Sequence, residues 1–495
     1  MRKKRRKILS STISVPVARA TTIDNLPDDV LLQIFDLCPV LYNHLTGLSS
    51  PLWPQWKRLI HVCRRWRLIV FSSRRRLDLY LICKHGTPVR KNLDLWPALP
   101  IVIDYVIYHR HTKISPNDDD NIIAALEHPD RVRCLKLPMT RFLFGKVATV
   151  AQGPFPALTE LQLSLEGGSV FVLPSEFLGG SAPRLRMILL EGIPFPTLPT
   201  LLSSASDLVL LSLHCIPPTG YISPDVMVAS LTALTRLNFL SIGFQSSTSR
   251  PDQSGRIRRG AAPPTRVVLP ALTILRFQGA SEYLEDLVAR IDTPGLASIE
   301  ITYFNQLVFQ VPQLFRFIGR TQIIEQAMEA DVFPDTSYIA LCLHSGPAKH
   351  SRPLLDLYFS CQGLDWQLSH LAEVLGQSST TLSNVHHLTI SESFSSRSQS
   401  ETDDIGWLAL FRQFTALETL RVSGRQTGHV AHALNDATVD MVPEIFPAIH
   451  SLSLVGEPAG CVEKFITARE LAGLPPIAVA NTLDEYDSMR SPPPP

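Results

Sequence analysis

Histidine is the side chain that most readily brings acid–base or metal chemistry to neutral pH. This sequence clusters it at His109-x-His111, His386-His387 and His429-x-x-His432. A metal site needs converging ligands, usually with a carboxylate or thiolate among them. None of the three clusters has such a partner at a recognisable spacing, so they read as solvated or strand-edge histidines. The eight cysteines (Cys38, Cys63, Cys83, Cys134, Cys215, Cys342, Cys361 and Cys461) are scattered and contain no CxxC pair. That spacing supports neither a zinc site nor a disulfide framework and suits a reducing compartment. Asp118, Asp119 and Asp120 stand at the start of a predicted helix, Asn121–Leu126, where the positive end of the helix dipole attracts carboxylates without any cation. GxGxxG, GxxxxGKS/T and GxSxG are all absent. The expectation is a chain with no catalytic constellation, no metal and no cofactor.

The basic residues invite a second kind of chemistry. Arg64, Arg65, Arg67, Arg74, Arg75 and Arg76 form one cluster, and Arg2 to Lys7 form another. Nucleic-acid binding would want exposed aromatics or Gly-rich loops between them, whereas Trp66 and Phe71 belong to apolar helical faces. The first cluster therefore reads as the solvated side of a docking helix. Net charge is +1, which gives no global field toward nucleic acid or a membrane surface. The N-terminal run resembles a signal peptide's basic region, but Ser10, Ser11, Thr12, Ser14 and Pro16 break the segment that would have to be apolar. RKKRRK also has the composition of a nuclear-localisation signal. No Asn-x-Ser/Thr sequon and no apolar run of ~18 residues occurs, so the expected address is cytoplasmic, nuclear or both.

What the chain does offer is association. Between Ile23 and Phe71 lie two helical patterns. The first starts at Pro27, with Asp28 and Asp29 at its positive end, and Pro39 stops it. Val30, Ile34 and Leu37 make one apolar row along it, and Leu31, Phe35 and Cys38 make another. The second runs from about Trp56 to Phe71 and also carries two apolar sides. So short a segment cannot bury both faces of each helix by itself. Leu26-Pro27-Asp28-Asp29-Val30-Leu31-x-x-Ile34-Phe35 and Val62-Cys63-Arg64-Arg65-Trp66 with Ile69 resemble an F-box. That is the helical module through which substrate receptors dock on the Skp adaptor of SCF (Skp–cullin–F-box) ubiquitin ligases. The resemblance covers roughly a tenth of the chain, and the connection from Leu41 to Gln55 is longer than a compact F-box has. It implies that Leu26, Pro27, Val30, Ile34, Phe35, Val62, Cys63, Trp66 and Ile69 meet the adaptor, and through it the cullin/RING core.

From residue 132 an internal repeat appears, apolar-x-x-apolar-x-apolar, each copy predicting one short strand with alternate residues buried. It stands at Val132/Leu135/Leu137, Leu158/Leu161/Leu163, Leu185/Ile188/Leu190, Leu208/Leu211/Leu213, Leu237/Leu240/Ile242, Leu272/Leu275/Phe277 and Leu296/Ile299/Ile301. After a longer interval it returns at Leu354/Leu357/Phe359, Val385/Leu388/Ile390, Leu417/Leu420/Val422 and Ile449/Leu452/Leu454. Pro156, Pro183, Pro270, Pro294 and Pro447 precede copies and are expected to end the helix before each. The pattern resembles leucine-rich repeats, except where that family has an asparagine. Here Glu166, Ile193, Ile216, Gln245 and Ala280 occupy the place. With the N-terminal module, the chain is similar to fungal F-box proteins with degenerate leucine-rich repeats. In such a geometry the residues between the buried ones face a concave surface. Glu160, Gln162, His214, Arg276, Glu300, Asp356, Tyr358, His387 and Arg421 are the candidates to bind a protein substrate there.

The expected fold is therefore α/β: a small helical F-box followed by an irregular leucine-rich-repeat-like solenoid. The expected segments are a basic tail (1–22), the F-box (23–73), a linker or capping region (74–131), the solenoid (132–475) and a C-terminal tail (476–495). In the capping region Leu77–Ile82 and LDLWPALPIVIDYVIY each predict a strand. Gln245–Pro264 and Ser391–Asp404 read as Ser-rich loops and Ser491–Pro495 as a polyproline end. The functional expectation is a substrate receptor of an SCF-type ligase. The alternative is a repeat scaffold without a ligase role, whose helical module packs on its own chain.

Overall fold

A computed structural model describes residues 23–37, 61–72, 79–81, 85–95, 99–105, 116–165, 172–246, 266–304, 309–321, 325–335, 338–346, 353–360, 364–377, 382–391 and 404–480, with single residues between these at 59, 83, 114, 306 and 323. The basic tail, Cys38, Pro39, the Leu41–Gln55 connection, Trp56, Arg74 to Arg76, His109, His111, Glu166, Cys361, most of both Ser-rich loops and the polyproline end lie outside the described residues. The chain divides into two compact units, residues 1–80 with 98–100 and residues 81–97 with 101–495.

The first unit holds helix α1, Asp28–Leu37, helix α2, Arg64–Ser72, and a two-residue strand β1, Leu79–Tyr80. α1 starts beside Pro27, whose carbonyl accepts from the Leu31 N–H at 3.0 Å. α2 is shorter than the apolar spacing predicts. It begins at Arg64, and Val62 and Cys63 sit in the turn before it. The cause is local: the Cys63 sulfur accepts the Trp66 N–H at 3.4 Å, so this side chain serves an N-terminal amide as a cap residue does.

The second unit is built on one long sheet. Its strands are β2 (Ile101–Asp104), β3 (Val132–Met139), β4 (Glu160–Leu165), β5 (Met187–Glu191), β6 (Leu210–Ile216), β7 (Phe239–Phe244), β9 (Ile274–Gly279), β11 (Ser298–Tyr303), β12 (Glu329–Pro334), β13 (Tyr338–His344), β14 (Leu355–Ser360), β15 (His387–Ile390), β16 (Thr419–Val422), β17 (Ser451–Leu454) and β18 (Ala478–Ala480). Val267–Val268 (β8) and Ile291–Asp292 (β10) pair separately. In space the order is β2-β3-β4-β5-β6-β7-β9-β11-β14-β13-β12-β15-β16-β17-β18. β2 to β11 are parallel neighbours in register, so Leu161, Ile188, Leu211, Leu240, Leu275 and Ile299 form one buried row. This is an α/β solenoid, with helices such as Arg141–Val150, Pro224–Leu231, Ser281–Val288 and Gln426–Asn435 returning between strands.

Four details correct the sequence reading. The five prolines do not end helices; each is the second residue of a turn that feeds a strand. The Leu158 N–H donates to Phe155 O at 3.2 Å across Pro156, and Leu185 to Ala182, Leu272 to Leu269, Leu296 to Thr293 and Ile449 to Phe446 repeat the arrangement. Proline suits that position because its φ is already fixed there. Leu93, Asp94 and Leu95 are not strand: Val89–Leu95 is a helix, and among the described residues of this stretch Ile101–Asp104 is the part that extends.

The longer interval between Ile301 and Leu354 holds two more strands. The chain leaves β11 through the helix Pro312–Ile318, lays down β12 at a distance, and turns back antiparallel through β13. It then places β14 beside β11, in parallel. β12 is itself a repeat copy, Ala327/Ala330/Val332, fully buried and in register with Leu388 and Ile390 of β15. Leu354, read as the first apolar position of a copy, is half-exposed because it belongs to this meander.

The missing asparagines are replaced by unrelated side chains. Ile193 and Ile216 are buried instead of hydrogen-bonded. The backbone is served from other places: Gln306 accepts the Ser281 N–H (2.9 Å), and Gln377 accepts from Val311 N and donates to Phe309 O (2.8 and 2.6 Å). Glu285, itself buried, accepts from the N–H groups of Gln313 and Leu314 at 2.9 and 2.8 Å. It caps a helix that has no capping side chain of its own.

Candidate interaction surfaces

In the first unit Leu31, Ile69 and Val70 are buried. Phe35 and Trp66, both half-buried, join the two helices with ring centroids 4.7 Å apart. Arg65 then fastens the helix starts together. Its guanidinium donates to Asp28 Oδ1 from Nε (3.1 Å) and Nη2 (2.6 Å), and also to the Leu26 carbonyl. Arg65 is therefore a clamp across the helix pair and not part of a solvated basic face; Arg64 and Arg67 are exposed. Of the nine residues that the F-box resemblance singles out, Ile69 lies in the core. Leu26, Val30, Ile34, Phe35, Cys63 and Trp66 are half-buried. Pro27 is exposed, and Val62 is 58% exposed. The helix pair thus leaves Pro27 and Val62 exposed and Leu26 and Ile34 half-buried, on a scaffold fixed by an ion pair and an aromatic contact.

In the second unit the nine candidates share one face of the sheet. Register puts Gln162, Arg276, Glu300, Asp356 and Arg421 in a single row that crosses the strands. It runs Asp104, Lys136, Gln162, Leu189, Ser212, Ser241, Arg276, Glu300, Asp356, Cys342, Asp331, Thr389, Arg421 and Ser453. Glu160 and His387 stand in the row one pleat before it, and His214 and Tyr358 one pleat after. They do not converge on one spot. Glu160 belongs to a group at the N-terminal end, where Lys136 contacts it at 2.8 Å and Asp104 at 3.5 Å. Burial works against the Lys136 ammonium, but its hydrogen bond to Glu160 and the neighbouring carboxylates outweigh that and raise its pKa. Burial lowers the pKa of His214. His387 shares a 2.6 Å hydrogen bond with Thr419.

Another grouping runs from β9 and β11 into the meander, and the sequence reading names only part of it. Arg276 meets Glu300 at 2.7 Å and lies over the Phe239 ring at 5.4 Å. Next in the row, the Cys342 thiol donates to Asp356 Oδ1 at 3.0 Å, and His344 Nε2 lies 3.4 Å from Asp331. Burial raises the Asp356 pKa, and the Glu300 charge adds to it against the Cys342 and Tyr358 hydrogen bonds. Cys342, His344 and Asp331 were missed because they stand on the strands that the repeat pattern skipped, although Tyr338–His344 is visibly an apolar run. A cysteine, a histidine and two carboxylates invite comparison with a thiol nucleophile. The Cys342 pKa points the other way: burial first, then Asp356, pushes it far up, and a thiol that donates to a carboxylate is not activated. Among the described residues no three His, Cys, Asp or Glu side chains are placed to hold a metal ion, and no helix is long and apolar enough to cross a membrane.

No protein-family model matches the sequence, and no curated protein matches it. Among solved structures it is similar to a leucine-rich repeat-containing protein, LegL7, from Legionella pneumophila. Identity is 15% and the TM-score 0.24, over 80% of this chain and 98% of that one. A TM-score that low places the chain in no fold family. The α/β solenoid stands on the register and hydrogen bonds above.

Proposed function

We propose that the chain is a non-catalytic receptor: α1 and α2 dock on the Skp adaptor of an SCF-type ubiquitin ligase, and the sheet face of the solenoid holds a protein substrate. The observation that carries the first half is the apolar side chains left open at the helix starts, Pro27 and Val62 exposed and Leu26 half-buried. They coincide with the residues through which the resembled module meets its adaptor. Solenoids present extended faces suited to protein segments, which supports the second half. Ubiquitin transfer would then rest on proximity, with the bond-making done by other subunits.

Co-purification of the full chain with recombinant Skp adaptor tests this. Val62→Asp, at an exposed position, and Leu26→Ala/Pro27→Ala are expected to abolish recovery of the adaptor, since apolar anchors of this kind contribute about 2 kcal/mol or more. Undiminished recovery with both variants would leave a repeat scaffold without a ligase role.

A further inference from the structure

The sheet face is not uniformly polar. In the row one pleat before the long polar row, Met187, Leu210, Phe239 and Ile274 are register partners on four successive strands, β5, β6, β7 and β9, and all four are half-exposed. Leu189 extends the patch into the next row. Beside them Ser212 and Ser241 are small and buried. Elsewhere the same row carries Glu160, Ser298, Glu329, His387 and Thr419. A continuous apolar stripe on an otherwise polar face marks a site for a partner.

The strands that follow supply its charge. Glu300, Asp356, Asp331 and Glu329 occupy β11, β14 and β12 on this face, with Arg276 as the cation set against Glu300. Arg276 already displays the chemistry, because its guanidinium sits between an aromatic ring of the stripe and the first carboxylate. Beyond it Asp356, largely buried, has hydrogen-bond donors from a thiol and a phenol and the His344 ring as a nearby cationic group, but among the described residues no arginine or lysine pairs with it. Its pKa is raised by burial and by Glu300. A positive group arriving there would relieve both effects.

We infer that this face receives an extended peptide segment carrying two apolar side chains followed by a lysine or arginine. The inference rests on the reading of the sheet as a recognition surface and specifies what that surface selects. Neighbouring strands lie about 4.8 Å apart, so Phe239 and Asp356, three strand steps apart, are separated by about 14 Å. An extended segment crossing the strands covers that distance in about four residues. The apolar residues, two positions apart, would lie on the stripe from Leu210 to Ile274, and the cation would lie by Glu300 and Asp356.

The test is fluorescence anisotropy with the full chain and a labelled peptide of about ten residues. The peptide has two leucines separated by one serine, a lysine on the fourth residue beyond, and serine and glycine elsewhere. A second peptide replaces the lysine by glutamate. The lysine peptide is expected to bind about ten-fold or more tightly than the glutamate peptide, with the preference weakening as salt rises. Glu300→Gln/Asp356→Asn should erase the preference, and Phe239→Ser or Leu210→Ser should weaken both peptides. Equal or tighter binding of the glutamate peptide overturns the inference, as does binding unaffected by the Phe239 and Leu210 variants, or no binding of either peptide. A dimer that Phe239→Ser dissociates overturns it in favour of a second copy of this chain. Adaptor recovery from the same preparations reports separately on the ligase reading: peptide selectivity without adaptor binding sinks only the latter.

Discussion

The helix pair and the repeat array use apolar residues in opposite ways. In the array the repeating side chains vanish into the interior: Leu161, Leu211, Leu240 and Ile299 have no exposure at all. Among the described side chains of the helix pair, Leu31, Ile69 and Val70 are removed from solvent, and the other residues that define its pattern stay half or fully open. Regular spacing therefore signals burial in one region and display in the other. Which of the two a given apolar residue does depends on how many neighbouring elements are available to cover it.

The contrast can be broken most forcefully from the inside. Leu240→Ala is expected to lower the stability of the array by about 3 kcal/mol, because the cavity it leaves is walled by register partners that cannot collapse. Equilibrium denaturation followed by circular dichroism measures it, and a loss below ~1 kcal/mol would show that the row is not close-packed. Glu285→Ala should come next, at about 2 kcal/mol, since it strips two N–H groups at the start of Pro312–Ile318 of their acceptor. Glu285→Gln should restore part of this.

Asp356 gives a pH-dependent member of the series. Its folded pKa is raised, so the native state holds this proton longer than the unfolded chain does. The stability it contributes is complete below the ordinary aspartate value of ~3.9 and is lost as pH rises through the higher folded value. Asp356→Asn removes that loss. Denaturation midpoints compared between about pH 4 and pH 8 should move in favour of the variant as pH rises, and a pH-independent difference would refute the assignment. On the display side, Arg65→Ala should cost ~1 kcal/mol or less by denaturation, because the pair it makes with Asp28 is largely exposed. Under the proposed docking it should nonetheless weaken adaptor recovery by loosening the angle between α1 and α2.

How much of this was legible follows the same division. The buried rows were readable residue by residue, because a period of two between turns has one structural meaning when every second side chain is apolar. β12 was not, since Ala327 and Ala330 hold repeat positions with side chains too small to register as a pattern. The prolines were visible, but a helix stop and the second position of a turn ask the same φ of the residue, and only the hydrogen bond across Pro156 separates them. On the sheet face, Glu300, Asp356 and Arg276 were named by position alone. That Arg276 is held by Glu300 and Phe239, and that Cys342 belongs beside Asp356, depends on strands brought together from distant parts of the chain. Arg65 was misread for a similar reason: its partner, Asp28, is on the other helix.

The reversed placement of β12 and β14 has a consequence for how the protein is made. An array whose strands dock in chain order can grow on the ribosome, each new repeat settling on the last. Here the strand that continues the edge left by β11 is β14, which emerges roughly fifty residues later, about 3 to 10 s at ordinary synthesis rates. During that interval the edge of β11 stands open, and β12, already synthesised, offers it a parallel strand of the wrong identity. The first half of the array is thus expected to form as one cooperative block and the second as another, joined when β14 arrives. Slowing translation across residues 304–354 would lengthen the life of that open edge.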